Sequence, residues 1–221
     1  MAAGTLYIVS TPIGNLEDIT LRAKRLLQEA DIVAAEDTRR AKTLFGAYGI
    51  NNIATSYHSY NMGKKTPELI AALRGGKNVA LISDSGTPGI SDPGSVLIAE
   101  SIKNGIPLTA APGPTAFVAA LVLSGKPTAK FVFEGFLSNK SARRRKQLAA
   151  LKDEKRTVIL YESPHRIVRF LKDFIEVAGD REIVLARELT KKFEEIRRGK
   201  AGEQLEHFAK QKPKGEFIVI F

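Results

Sequence analysis

Five short apolar runs in the first half of the chain, at 6–9, 32–35, 53–56, 79–82 and 108–110, are separated by longer stretches of mixed polarity. Brief runs of this kind, bounded by turn residues, predict strands buried on both faces of a sheet. The intervening stretches have helical spacing: LRAKRLLQEA puts Leu26, Leu27 and Ala30 on one face, and PELIAALRGG gathers Leu69, Ile70 and Leu73 before a glycine stop. Strands alternating with helices predict an α/β domain with a mainly parallel sheet. Around SGKPT at 124–128 the pattern breaks, and a second block carries strand-like FVFEGF, TVILYE, EIVLAR and EFIVIF with helical stretches near 141–152, 164–178 and 201–210. The expected organisation is therefore two α/β domains: 1–124 with a parallel sheet and 125–221 with a mixed sheet. The chain stops at Phe221 inside a strand-like run with no polar tail, as a shortened form of a longer protein would.

Composition removes several chemistries. There is no cysteine, so disulfides, iron–sulfur clusters and thiol nucleophiles are excluded. The three histidines, His58, His165 and His207, lack ligand-like spacing, and no metal site is expected. No stretch is long and apolar enough to span a membrane, and the start, MAAGTLYIVSTP, lacks the features of a secretory signal, which predicts a cytoplasmic protein. The net charge of +10, from 34 Lys and Arg against 24 Asp and Glu, favours a polyanionic partner, because each neutralised phosphate releases condensed counterions. Arg143, Arg144, Arg145 and Lys146 form a basic block that reads either as a nucleic-acid patch or as a solvated helix face.

Ligands of open parallel sheets bind outside the carboxyl ends of the strands, so the loops that follow the strands carry the functional information. After the first strand comes STPIGN; after the second, EDTRR; after the fourth, SDSGTPGISDPGS; after the fifth, APGPTA. Glycine lets a ligand approach the main chain and proline holds a loop in one shape. Within the fourth loop, Asp92-Pro93 reads as a helix start and Asn104-Gly105 as that helix's end, which leaves 84–90 without a purely structural explanation. Neither G-x-x-x-x-G-K-[ST] nor G-x-G-x-x-G follows a strand, so the usual nucleotide loops are missing.

Taken in order, IVSTPIGNLEDIT, AAEDTR, SDSGTPGISDPG, APGPTA, LYESPHR, RELTKKFEE and the closing GEF resemble the tetrapyrrole-methylase-like superfamily of S-adenosylmethionine-dependent methyltransferases. Within it they are similar to the branch that methylates the ribose 2′-hydroxyl of a cytidine in small-subunit ribosomal RNA. The resemblance implies two α/β domains with the cofactor cleft between them and a homodimer acting on ribosomal RNA or the small subunit. It assigns Asp84, Ser85, Gly86, Thr87 and Ile90 to the methionine end of the cofactor. It adds Thr115 and Ala116, main-chain contacts at Glu162 and Leu189, and the first loop, Pro12, Ile13 and Gly14, which here has fewer glycines than the superfamily pattern. Members of the branch often carry an additional C-terminal segment that this chain of 221 residues lacks.

Methyl transfer to a hydroxyl needs orientation above all, and gains from a base that takes the proton. Glu36 and Asp37 follow the second strand directly and are the candidate catalytic carboxylates, with Arg39 to pair with one of them or with a phosphate. Asp37 reads equally well as a helix cap. Glu188, Lys191 and His165 are further candidates, and Tyr57, His58 and Tyr60 read either as base-stacking residues or as a plain surface loop. Arg39, Arg40 and Lys42, with the block at 143–146, would hold phosphates without reading sequence. Two other functions fit the same residues: a carbon methyltransferase acting on a porphyrin-like molecule, and a basic RNA-binding assembly protein without chemistry. The triple arginine favours the RNA enzyme.

Overall fold

The computed structural model describes residues 2–210 and 213–221. The first unit, Met1–Thr115, is built on the predicted alternation: β1 (Leu6–Val9), α1 (Leu21–Glu29), β2 (Ile32–Ala35), α2 (Thr38–Tyr48), β3 (Ala54–Ser56), α3 (Met62–Arg74), β4 (Val79–Ile82), α4 (Ser95–Lys103) and β5 (Leu108–Ala111). All five strands are parallel, in the order β3-β2-β4-β1-β5, with Leu6 in register with both Val79 and Leu108. Because successive strand residues point to opposite faces, the two layers of core can be read from β4 alone. Ala80 and Ile82 join Val9, Leu26, Leu27 and Phe45 beneath α1 and α2, while Val79 and Leu81 join Leu6, Tyr57, Leu69, Leu73 and Leu97 beneath α3 and α4. Burying each such leucine is worth about 1.5–3 kcal/mol. Thr20 starts α1 by accepting a hydrogen bond from Ala23 N–H at 3.1 Å.

The helix after β4 begins later than Asp92-Pro93 predicts. Its N-cap is Gly94 and its first residue Ser95. Gly94 has φ 143°, and a Cβ there would lie 3.0 Å from Leu81 Cδ2, so the chain folds tightly over β4 before it can coil. Asp92 and Pro93 therefore belong to the loop.

The second unit, Ala116–Phe221, contains α5 (Ala116–Ser124), β6 (Phe131–Phe136), α6 (Ser141–Leu151), β7 (Thr157–Glu162), α7 (Ile167–Ala178), β8 (Glu182–Arg187), β9 (Glu195–Lys200), α8 (Ala201–Lys210) and β10 (Phe217–Ile220). The division after Thr115 precedes the expected boundary at 124, because α5 packs on the strands of the second sheet. That sheet is mixed as predicted, in the order β6-β7-β10-β8-β9 with only β6 and β7 parallel. The edge strand β9 was not predicted: EIRRGK has too much charge to read as a strand, yet charge suits an edge that must not pair with another chain. Helix α7 starts at Ile167, three residues after the expected Pro164.

The basic block lies on α6, and there the structure corrects the sequence reading. Arg144 is buried, 2% exposed, and cannot meet a nucleic acid. It shares the inward stripe of α6 with Leu148 and Leu151. Its guanidinium pairs with Asp173 on α7 through Nη2 at 2.5 Å and Nε at 2.7 Å, and Nη1 donates to Ser138 O at 3.2 Å. Ser141 Oγ holds the other Asp173 oxygen at 2.8 Å. Arg145 pairs with Glu176 at 2.8 Å, whereas Arg143 and Lys146 are exposed and make no ion pair among the described residues. Removing one partner of a buried pair strands the other charge. Arg144→Ala should therefore lower stability by about 3–5 kcal/mol in urea denaturation, whereas Arg143→Ala should stay within about 0.5 kcal/mol of the parent.

Candidate functional site

Strand order decides which loops meet. Since β1 lies between β4 and β5, the loops leaving these three strands emerge side by side at one edge of the sheet. They are tied together. Thr11 N–H donates to Gly86 O at 2.9 Å and Gly86 N–H to Thr11 O at 3.0 Å, a two-bond bridge between the first and fourth loops. The Thr87 hydroxyl is a hub: it lies 2.9 Å from Ser10 Oγ, 2.8 Å from Thr115 Oγ1 and 3.3 Å from Pro114 O. One side chain thus joins all three loops. Gly86 has φ 79°, a conformation other residues rarely adopt, and a Cβ there would point at Ile13 Cγ2, 3.4 Å away. The Thr11 hydroxyl is buried without a partner among the described residues.

Of the residues expected to hold the cofactor, Ser85, Gly86, Thr87 and Thr115 are in this cluster, with Pro12 buried and Ile13 half-buried beside them. Gly14 is exposed, and Ile90 closes a turn by donating to Thr87 O at 3.2 Å. Ala116 is the first residue of the second unit. Asp84 is turned elsewhere: its Oδ1 accepts from Asp37 N–H at 3.0 Å and its Oδ2 pairs with Arg40 at 3.4 Å.

This second corner, at the ends of β2 and β4, separates the two candidate carboxylates. Asp37 is the N-cap of α2, accepting from Arg39 N–H at 2.8 Å, and its two oxygens are also gripped by the Arg39 guanidinium at 3.0 and 2.5 Å. Those bonds hold the Asp37 carboxyl far below the usual carboxylate range. Glu36 is the opposite case. Burial pushes its pKa up and the nearby Asp84 charge adds to this, against the hydrogen bond that Glu36 accepts from Asp84 N–H at 3.4 Å and the guanidinium of Arg40. Arg39 is 90% exposed, and Arg40 and Lys42 are exposed beside it on α2.

In the second unit, Glu162 is buried and paired with Arg166 Nε at 2.9 Å, and burial raises its pKa. Leu189 lies between two non-glycine residues of positive φ, Glu188 at 51° and Thr190 at 64°. Such conformations persist where a fold needs the main chain in one orientation. Lys191 and Glu188 pair with each other at 2.8 Å, and His165 is exposed. Tyr57 is fully buried, with its hydroxyl 3.0 Å from Thr66 Oγ1; it is a core residue and is withdrawn as a base-stacking one. The hydroxyl hub had no sequence signal beyond its glycine-rich setting, since its partners lie 77 and 28 residues away.

The family model for Tetrapyrrole (Corrin/Porphyrin) Methylases matches residues 5–204. The chain belongs to this family. It is 46% identical over 217 residues to the ribosomal RNA small subunit methyltransferase I of Thermotoga maritima, covering 98% of this chain and 97% of that protein. It is 50% identical over 216 residues to the protein of the same name from Mesorhizobium japonicum, covering 97% of this chain and 74% of the relative. The fold matches that of uroporphyrin-III C-methyltransferase from Thermus thermophilus, solved with S-adenyl homocysteine, with a TM-score of 0.69 at 19% identity, covering 98% of this chain and 96% of the other. Both α/β units therefore have the tetrapyrrole methylase architecture.

The hub makes a local prediction. Thr87→Val keeps the shape and removes the hydroxyl, which should cost about 1–3 kcal/mol and speed hydrogen exchange at the Thr11 and Gly86 amides relative to the strand amides of β1.

Proposed function

We propose that this member of the family transfers a methyl group from S-adenosylmethionine to the ribose 2′-hydroxyl of a cytidine in small-subunit ribosomal RNA. The observation that carries the reading is the three-loop cluster around Thr87, on a chain 46% and 50% identical to proteins named for ribosomal RNA methylation. The cluster suits this cofactor. It offers the hydroxyls of Ser10, Thr87 and Thr115 and a buried unpartnered hydroxyl at Thr11, which can serve the amino and carboxylate groups of a methionine moiety. Ser85, Gly86, Thr87, Ile90 and Thr115 would hold that end, with Pro12, Ile13 and Gly14 beside them. S-adenosylmethionine supplies a methyl group on a sulfonium, already activated for displacement.

What the chain's own residues add is orientation and a proton acceptor. Well-placed reactants can account for about 7–11 kcal/mol of a barrier. Glu36, half-buried and joined to the fourth loop by the Asp84 N–H, takes the 2′-hydroxyl proton as oxygen attacks the methyl group. Its raised pKa improves it for that step, since proton affinity and basicity rise together. Asp37 and Arg39 position the start of α2. Arg39 and Lys42 on α2, and Arg143, Arg145 and Lys146 on α6, contact phosphates without reading bases. The exposed apolar residues Val118 and Val122 on α5 and Phe131 and Phe136 on β6 support a homodimer. No described helix is long and apolar enough to cross a membrane, which fits an enzyme working on ribosomal subunits in the cytoplasm.

Tritiated methyl transfer to small ribosomal subunits, followed by location of the labelled nucleotide, tests the reading. Label on a cytidine ribose is expected; label in a macrocycle, or cofactor binding without label, contradicts it. Glu36→Gln should lower kcat by about 100- to 10,000-fold at unchanged cofactor affinity. The parent's activity should rise with pH through the raised Glu36 pKa, because only the ionised form accepts a proton, and the variant should lose that limb.

A further inference from the structure

At the carboxyl ends of the neighbouring strands β2 and β4 the chain leaves in opposite directions. After β2 the chain runs outward to β3 at one edge, and after β4 it crosses β1 to β5 at the other edge. Adjacent strands whose connections diverge leave a crevice at their carboxyl ends. A cavity of about 220 Å³ opens there. Its walls are apolar, from Leu16, Ala41, Leu44 and Ile82, and its polar rim includes Asp84 and Arg40.

The rim groups are unequal. Asp84 Oδ1 is fixed by the Asp37 N–H at 3.0 Å, whereas Oδ2 meets only the guanidinium of Arg40 in an ion pair at 3.4 Å. Arg40 is 67% exposed, so it can swing while Asp84 cannot. Asp37, the other rim carboxylate, already has both oxygens on Arg39. The cavity therefore presents one fixed acceptor beside one movable donor, over apolar walls that can take the faces of a planar ring.

We propose that this cavity holds the base of the target nucleotide and that Asp84 and Arg40 select cytosine over uracil. The proposal rests on the reading of ribose methylation given above. Cytosine carries an exocyclic N4–H₂ donor next to the N3 and O2 acceptors; a carboxylate accepts from the first and a guanidinium donates to the others. Uracil would turn its O4 acceptor toward the carboxylate and its N3–H toward the guanidinium, an unfavourable match at both points. A free phosphate is disfavoured by the fixed negative charge. A base seated here is also in place for chemistry, because Glu36 accepts from Asp84 N–H at 3.4 Å, so the base contact and the proton acceptor adjoin. Single-stranded RNA bases can be splayed out to be read in this way.

Asp84→Asn tests it. The Asp37 N–H needs an acceptor, so the amide oxygen stays at the Oδ1 place and an NH₂ donor replaces Oδ2, reversing the preference of the rim. Arg40→Gln, at an exposed position, is the second variant. Small subunits or RNA fragments carrying C or U at the target would be compared by kcat/KM and, independently of transfer, by RNA binding. The parent should favour C by about 5- to 150-fold, as expected for one good base contact. Asp84→Asn should cut that ratio by about tenfold or more, and Arg40→Gln should also lower it, with S-adenosylmethionine affinity unchanged in both. An unaltered C-to-U ratio in Asp84→Asn overturns the proposal. So does an equal loss on C and U, which would make Arg40 a phosphate contact, or a loss of cofactor affinity, which would return Asp84 to the glycine loop. Should the parent label no ribose, the ribose-methylation reading fails, while the binding preference between C and U still decides the cavity.

Discussion

The site depends on the hydrogen bonds that close the Thr11–Gly86 bridge and converge on the Thr87 hydroxyl. Adjacent parallel strands bring their following loops to the same edge, but adjacency alone leaves those loops free to splay. The bridge and the hub fix them to one another. They also fix the sign of the backbone at Gly86, whose left-handed φ turns the main chain without a side chain in the way. The strands supply the position and this small polar network supplies the shape.

Charge in this protein is divided between structure and function in a way that net charge conceals. Arg144 belongs to a buried network with Asp173 and Ser141 that joins α6 to α7, while Arg143 and Lys146, on the same helix, face solvent. The two carboxylates after β2 divide in the same manner. Asp37 caps α2 and binds Arg39, whereas Glu36 is less paired and burial raises its pKa.

Strands such as β4 and β10, buried on both faces, were legible because only apolar residues suit them, and the first sheet is parallel and the second mixed as predicted. Strand β9 was not, because an edge strand is free to be charged. The start of α4 misled because Asp-Pro has the chemistry of a helix start, while the close approach of Gly94 to Leu81, which delays the helix, is tertiary. The burial of Arg144 was legible in principle: Arg144, Leu148 and Leu151 have the spacing of one helix face, and the basic run obscured it. In the site, glycine and proline marked the right loops, but the partners of Thr87 lie far away in sequence and only the sheet order brings them together.

The central claim is that the loop cluster around Gly86 and Thr87 holds the methyl donor. Calorimetric titration of S-adenosylmethionine into the parent and into Gly86→Val, each checked for native far-ultraviolet dichroism, tests it most directly. The account predicts saturable binding to the parent and an affinity lowered by about 100-fold or more in the folded variant, about 2.8 kcal/mol. Equal affinity in a folded Gly86→Val would contradict it.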